Sequence, residues 1–256
     1  MIRDIRESLA DFKKSGKYII AYGDNYTQGA YYICSIADSI ILNPQGQVNW
    51  CGMASQPIFY KDLLEKIGIK MQVFKVGSYK SAVEPFTATQ MSDANREQVT
   101  SYLNDIWQTM LTDVSRSRSI KKDLLDEYAD SMLTFRPAEE LVRNGMVDSL
   151  CYIDGISRML RAKTGKNKGT LPLVSVKELA AATETTPKKG DKIAAYYAYG
   201  DIVDRKTEWS ENVIDAETVC HDLRTLREDE SVKAVVLRIN SGGGSAYASD
   251  CLLYTS

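Results

Sequence analysis

Short apolar runs rich in β-branched and aromatic residues alternate along this chain with segments of helical periodicity, and few folds accept that order. "YIIAYGDN" (18–25) reads as a buried strand, "YTQGAYYICSIA" (26–37) as a helix of small residues, and "DSIILNPQGQV" (38–48) as a second strand ending at an Asn-Pro turn. Strand, helix, strand calls for a parallel sheet with crossovers, and so for an α/β fold. The pattern continues with "PIFYKDLLEKIGI" as helix and "KMQVFKVG" (70–77) as strand. Residues 91–116 form the longest helical stretch, with Ser92 as N-cap and Val99, Leu103, Ile106, Met110 and Val114 on one face, packed lengthwise on its neighbours. Further helices are expected in 121–132, 137–150 and 152–165.

From 164 to 192 the chain turns rich in Lys, Thr and Gly, the best domain boundary. Beyond it "KIAAYYAYGDIVD" opens a second unit as strand, followed by "DAETVCHDLRTLRED" as helix and "SVKAVVLRIN" as core strand. The chain closes on strand, glycine turn and the start of a helix, yet it opens on "IRDIRESLADF", a helix leading into a strand. The last segment is what should precede the first. The expected organisation is therefore a piece of a tandem repeat, the back of one unit followed by the front of the next. A second unit that small would leave "AVVLRI" as an unpaired apolar strand.

Composition excludes several functions. With 32 Lys plus Arg against 34 Asp plus Glu there is no excess positive charge to attract nucleic acid. The five cysteines are scattered, without the close pairs of a zinc site, and read as buried small hydrophobes. No window approaches the roughly 18 apolar residues of a membrane helix, and residues 1–15 lack the apolar stretch of a signal peptide.

The turn in "VVLRINSGGGSAYASD" (235–250) admits three chemistries: a phosphate cradle, a nucleophilic serine, or backbone donors for an oxyanion. A P-loop requires a lysine after its last glycine, and Gly244 is followed by Ser245 and Ala246. A dinucleotide fingerprint would need a third glycine where Tyr247 stands. A nucleophile elbow around Ser245 lacks its closing glycine and a histidine base, since the one histidine, His221, reads as a solvated or boundary helix residue. No cofactor or metal motif is left. Another base candidate lies in "FKVGSYKSAVEPF" (74–86), where Lys80 sits between Gly77 and Pro85. A lysine base must be neutral, and from an ordinary pKa of about 10.4 that demands burial. An ion pair with nearby Glu84 would work against it. Pattern alone reads Lys80 as a surface lysine.

"SYKSAVEPFTATQMSDANREQ", "YGDNYTQGAYYICSIADSIILNPQG" and "VLRINSGGGSAYASD" together resemble the large two-repeat form of the signal peptide peptidase A family, over essentially the whole chain except its last few residues. The resemblance implies a crotonase/Clp-protease-like spiral of βαβ units and a serine–lysine peptidase without cofactor or metal. It makes residues 1–163 the back part of a lysine-bearing repeat, 164–191 a linker, and 192–256 the front part of a serine-bearing repeat. Lys80 falls on the general base. Gly243 and Gly244 fall on the oxyanion hole, with Gly242 standing where the family has proline. The serine is expected beyond the C-terminal end, so that the chain alone is inactive. Gln28 occupies the first repeat's position for it, and Thr27 is off axis. Apolar signal peptides are the implied substrates, a homotetramer the implied assembly, and the periplasmic side of the bacterial inner membrane the implied place, reached through an anchor upstream of Met1. Two other readings stay open: an acyl-CoA enzyme using the same oxyanion turn, and a non-enzymatic peptide-binding or scaffold repeat. The tail "CLLYTS" departs from the family.

Overall fold

The computed structural model describes residues 2–165, 171, 173–183, 190–207 and 211–255. The chain falls into two compact units, Met1–Leu171 and Pro172–Ser256. Both are built from parallel strands and helices.

The first unit begins with α1 (Ile2–Lys14), β1 (Ile20–Tyr26), α2 (Gln28–Cys34) and β2 (Ser39–Val48). Helix α2 starts where Thr27, extended, accepts the Ala30 N–H on its hydroxyl. Helices α3 (Lys61–Lys66), α4 (Glu84–Thr87), α5 (Asp93–Arg118), α6 (Lys122–Asp130), a 3₁₀ turn at Leu133–Phe135 and α7 (Ala138–Arg143) precede β3 (Ser149–Leu150) and α8 (Ile153–Thr164). The sheet order is β1-β2-β3, all parallel. Central β2 is covered on both faces, so Ile40, Ile41 and Leu42 are all fully buried. The strand does not stop at Asn43-Pro44. It bulges there and resumes, with Asn25 pairing Gln47, because Gly46 lets the chain pass where a Cβ would strike the Asp24 carbonyl.

Trp50 centres the core, with Tyr31 edge-on at 5.6 Å and Trp107 at 4.9 Å between ring centroids. Its indole N–H donates to the Leu125 carbonyl at 2.8 Å. Arg6 is buried and donates to the Tyr32 carbonyl, to Ser35 Oγ at 2.6 Å and to Ser117 Oγ at 2.8 Å, joining the end of α2 to α5. Burial pulls its pKa below the ordinary arginine value.

Among the described residues, none of 51–106 enters this core. The strand expected at 70–77 does not form, and Phe74 and Val76 are 96% and 89% exposed. A strand requires a neighbour's N–H and C=O groups, and none of the described residues pairs with this run. Helix α5 likewise buries only its second half, through Met110, Leu111 and Val114, while Ile106 is exposed. The helix expected over 137–150 stops at Arg143, where Asn144 and left-handed Gly145 turn the chain into β3.

In the second unit, α9 (Val176–Thr183) rises from the stretch read as a linker. Ser175 and Glu178 form a capping box: the Glu178 N–H donates to Ser175 Oγ at 3.2 Å, and the Ser175 N–H to Glu178 Oε2 at 2.7 Å. Residues 166–170, 172 and 184–189 of that stretch lie outside the described residues. Strands β4 (Lys192–Tyr199), β5 (Asp201–Val203) and β6 (Val213–Asp215), helix α10 (Ala216–Glu228), β7 (Val232–Asn240) and α11 (Ala246–Thr255) complete the unit. The "AVVLRI" run is paired rather than free, since β7 lies parallel to β4 along its whole length. A small core of Ile214, Val219, Cys220, Leu223, Ala248 and Leu252 joins α10 to α11. The reading of the cysteines as buried holds fully only for Cys220; Cys34 and Cys251 lie half-buried on helices at the edge of the two cores, Cys151 is half-buried after β3, and Cys51 is exposed. No helix among the described residues is long and apolar enough to cross a membrane.

Candidate active site

Lys80 lies on the loop between the unpaired 70–76 run and α4, opened by Gly77 at φ +99°. Two contacts fasten this loop to α5. The Tyr79 hydroxyl donates to Glu97 Oε2 at 3.0 Å. Glu84, four residues after the lysine, turns inward and accepts from the Ser92 hydroxyl at 2.5 Å, from the Ser92 N–H at 3.2 Å and from Asn95 Nδ2 at 2.9 Å. The Ser92 bond holds the Glu84 carboxyl below the usual glutamate range, aided by Asn95 and by the charge of Lys75, against the opposing pull of burial. Ser92 in turn caps α5 by accepting the Asn95 N–H at 3.2 Å.

The ion pair with Glu84 that would have kept Lys80 charged is therefore not made. Among the described residues Lys80 has no hydrogen-bond or ion-pair partner, and its side chain borders an open hollow of about 560 Å³ with Phe74, Val76, Tyr79, Val83 and Gln98. Lys80 thus presents a primary amine beside apolar side chains on a loop tied to α5.

The glycine turn belongs to the second unit. Its ladder is specific: the Ile202 N–H donates to the Gly243 carbonyl at 2.9 Å and the Ser245 N–H to the Ile202 carbonyl at 2.8 Å. Gly244 lies opposite Ile202, and a Cβ there would run into the Ile202 carbonyl. The two candidate donors differ. The Gly243 N–H is taken by Ser241 Oγ at 3.0 Å, whereas that of Gly244 has no partner among the described residues. Ser245 is engaged as well, donating to Asp204 Oδ1 at 2.6 Å and accepting the Ala248 N–H at 3.2 Å as the cap of α11. His221 is exposed on α10.

Gln28 has a role that the sequence did not reveal. Its Oε1 accepts from the Cys51 and Gly52 N–H groups at 3.0 and 3.1 Å, and its Nε2 donates to the Gly52 carbonyl at 3.0 Å. No periodicity links residues 23 positions apart, so no local signal could have found this clamp. Among the described residues no group of three or more His, Cys, Asp or Glu could hold a metal ion.

Comparison with known proteins adds to this geometry. The profile of Peptidase family S49 matches residues 11–167. The chain is 35% identical to Protease 4 of Salmonella typhi, over 98% of its own length and 41% of that protein's. It is 33% identical to Protease 4 of Haemophilus influenzae, over 96% and 41% respectively. It is 29% identical to the chloroplastic serine protease SPPA of Arabidopsis thaliana, over 98% and 38%. The chain thus spans about two fifths of the length of these relatives.

Proposed function

The chain belongs to peptidase family S49, a family of serine-type peptidases, and we propose that it contributes Lys80 as the general base of a serine–lysine dyad. One observation carries this reading. The Lys80 loop is tied to α5 on both sides, through Tyr79–Glu97 and Glu84–Ser92, while the amine itself is left unpaired among the described residues. A lysine kept only for solubility needs no such anchorage.

In the proposed reaction the neutral Lys80 amine accepts the proton of a serine hydroxyl as its oxygen attacks the scissile carbonyl. The developing O⁻ is met by the N–H of Gly244, which has no partner among the described residues, with Gly243 shaping the turn that aims it. Collapse expels the peptide amine, which takes the proton from Lys80. A water, deprotonated by Lys80, then attacks the acyl-enzyme, and the departing serine oxygen takes that proton back from Lys80. We place the attacking serine in sequence that follows residue 256, because Ser245 is committed to Asp204 and to capping α11. Residues 1–163 and 192–256 are read as parts of two repeats joined through 164–191.

The exposed Phe74 and Val76 beside Lys80 offer an apolar rim for the surface that desolvates the amine, and a homotetramer would supply it. The apolar lining of the hollow suits cleaved signal peptides as substrates. Such substrates arise on the periplasmic side of the bacterial inner membrane, where we place the protein. The test is made in the full protein that carries this chain. Lys80→Ala should lower turnover of an apolar peptide substrate about 10²–10⁴-fold, and Lys80→Cys should regain activity on aminoethylation, which rebuilds a lysine-like amine. Undiminished turnover in Lys80→Ala would remove Lys80 from the mechanism.

A further inference from the structure

Two main-chain N–H groups, those of Cys51 and Gly52, converge on one oxygen, Gln28 Oε1, at 3.0 and 3.1 Å. The nitrogen of the same carboxamide donates to the Gly52 carbonyl at 3.0 Å. A side-chain amide is thus held as a segment of peptide main chain would be, its oxygen by paired backbone donors and its N–H by a backbone acceptor. Gly52 stands at φ +77°, and successive N–H groups next to a left-handed residue make a concavity that receives an oxygen.

Helix α2 is already capped by Thr27, and neither Gln28 nor Cys51 belongs to the core. Cys51 is exposed and Gln28 half-buried, so the clamp is within reach of solvent. Beside it opens a hollow of about 360 Å³ of mixed character, with Met53, Leu103 and Trp107 as its large apolar residues and Asn104, Asp126 and Asp130 among its polar ones.

We propose that residues 51–53 are a binding strip for the main chain of an extended apolar peptide, closed in the free protein by Gln28. On binding, a peptide carbonyl takes the Cys51 and Gly52 N–H groups, and a peptide N–H takes the Gly52 carbonyl. An apolar side chain of the ligand then lies against Met53, Leu103 and Trp107. Each hydrogen bond released by Gln28 is replaced in kind. The affinity is therefore lowered by the fraction of time for which Gln28 holds the strip shut. The choice of a peptide as ligand rests on the peptidase reading, but the strip uses neither Lys80 nor the glycine turn.

The experiment titrates the ¹⁵N-labelled chain with an N-acetylated, C-amidated trileucine peptide and follows each amide by NMR. In the wild type the peptide should shift the Cys51 and Gly52 amides and move the Gln28 side-chain NH₂ signals towards those of a free amide. Gln28→Ala should tighten binding at those two amides roughly tenfold or more, since no plug competes. Gln28→Asn, one methylene too short to reach, should do the same and carries the comparison if the alanine variant loses the dispersed spectrum of a folded core. Dissociation constants equal in wild type and variant would overturn the strip. So would shifts confined to residues 74–83 around Lys80, an outcome that leaves the peptidase reading standing. No binding at either place would count against both.

Discussion

The Glu84 carboxylate accepts the Ser92 hydroxyl at 2.5 Å and is only 4% exposed, so the acidic residue nearest Lys80 in sequence is bound to the start of α5 instead of to the lysine. This contact fixes the loop without engaging the amine. It also joins two segments, 77–87 and 92–97, that share no core residue.

Glu84→Ala leaves the Ser92 hydroxyl, the Ser92 N–H and Asn95 Nδ2 without their acceptor, and should destabilise the fold by about 2 kcal/mol, as loss of a charged acceptor does. Urea denaturation measures the loss. Limited proteolysis should show faster cleavage within 74–83, and an unchanged cleavage rate there would show that Tyr79–Glu97 holds the loop alone.

Acid should have the same effect. The Glu84 carboxyl, held down chiefly by the Ser92 hydroxyl, titrates below its ordinary value of 4.5 in the folded chain. Its contribution is present above that value and disappears as pH falls through the folded pKa. Proteolysis of the Lys80 loop should therefore accelerate in acid below about pH 4.5 in the wild type, and Glu84→Gln should flatten the profile.

Trp50→Ala removes the ring between Tyr31 and Trp107 and the indole N–H that donates to the Leu125 carbonyl. A loss of about 3–5 kcal/mol is expected for a buried tryptophan. Thermal or urea unfolding of residues 1–171 should register it, and a loss under 1 kcal/mol would mean that the neighbours close the space.

Gly244→Ala places a methyl against the Ile202 carbonyl, so it should break the ladder between Ile202 and the turn. Hydrogen exchange at the Ile202 and Ser245 amides should rise sharply. Gly243 has open space around it but stands at φ +113°, so Gly243→Ala should cost only backbone strain, about 1–3 kcal/mol, with the ladder kept. Equal exchange in the two variants would contradict this division.

Lys80→Met should leave the unfolding midpoint of the chain unchanged, because the amine is exposed and makes no ion pair among the described residues. A lowered midpoint would reveal a structural role and weaken the assignment of Lys80 as a base.

Much of the architecture was legible along the chain. The β-type runs at 18–25 and 38–48, the N-cap at Ser92 and, in the second unit, β4, α10, β7 and the start of α11 are set by neighbours a few residues apart, whose periodicity and capping chemistry are written locally, whereas α9, the break at Gly200 and the short β6 were not legible. The run at 70–77 has the same composition as a strand and is none, because pairing depends on a second strand that its own residues do not specify. The candidate site divides in the same way. Lys80 and the three glycines stand out as residue types in short motifs. That Glu84 faces Ser92, that Ser245 reaches Asp204, and that Gln28 reaches Cys51 and Gly52 were decided by tertiary structure. A hydrogen bond's partner depends on where the chain has folded back, and nothing in the spacing of two residues encodes the 3 Å between them.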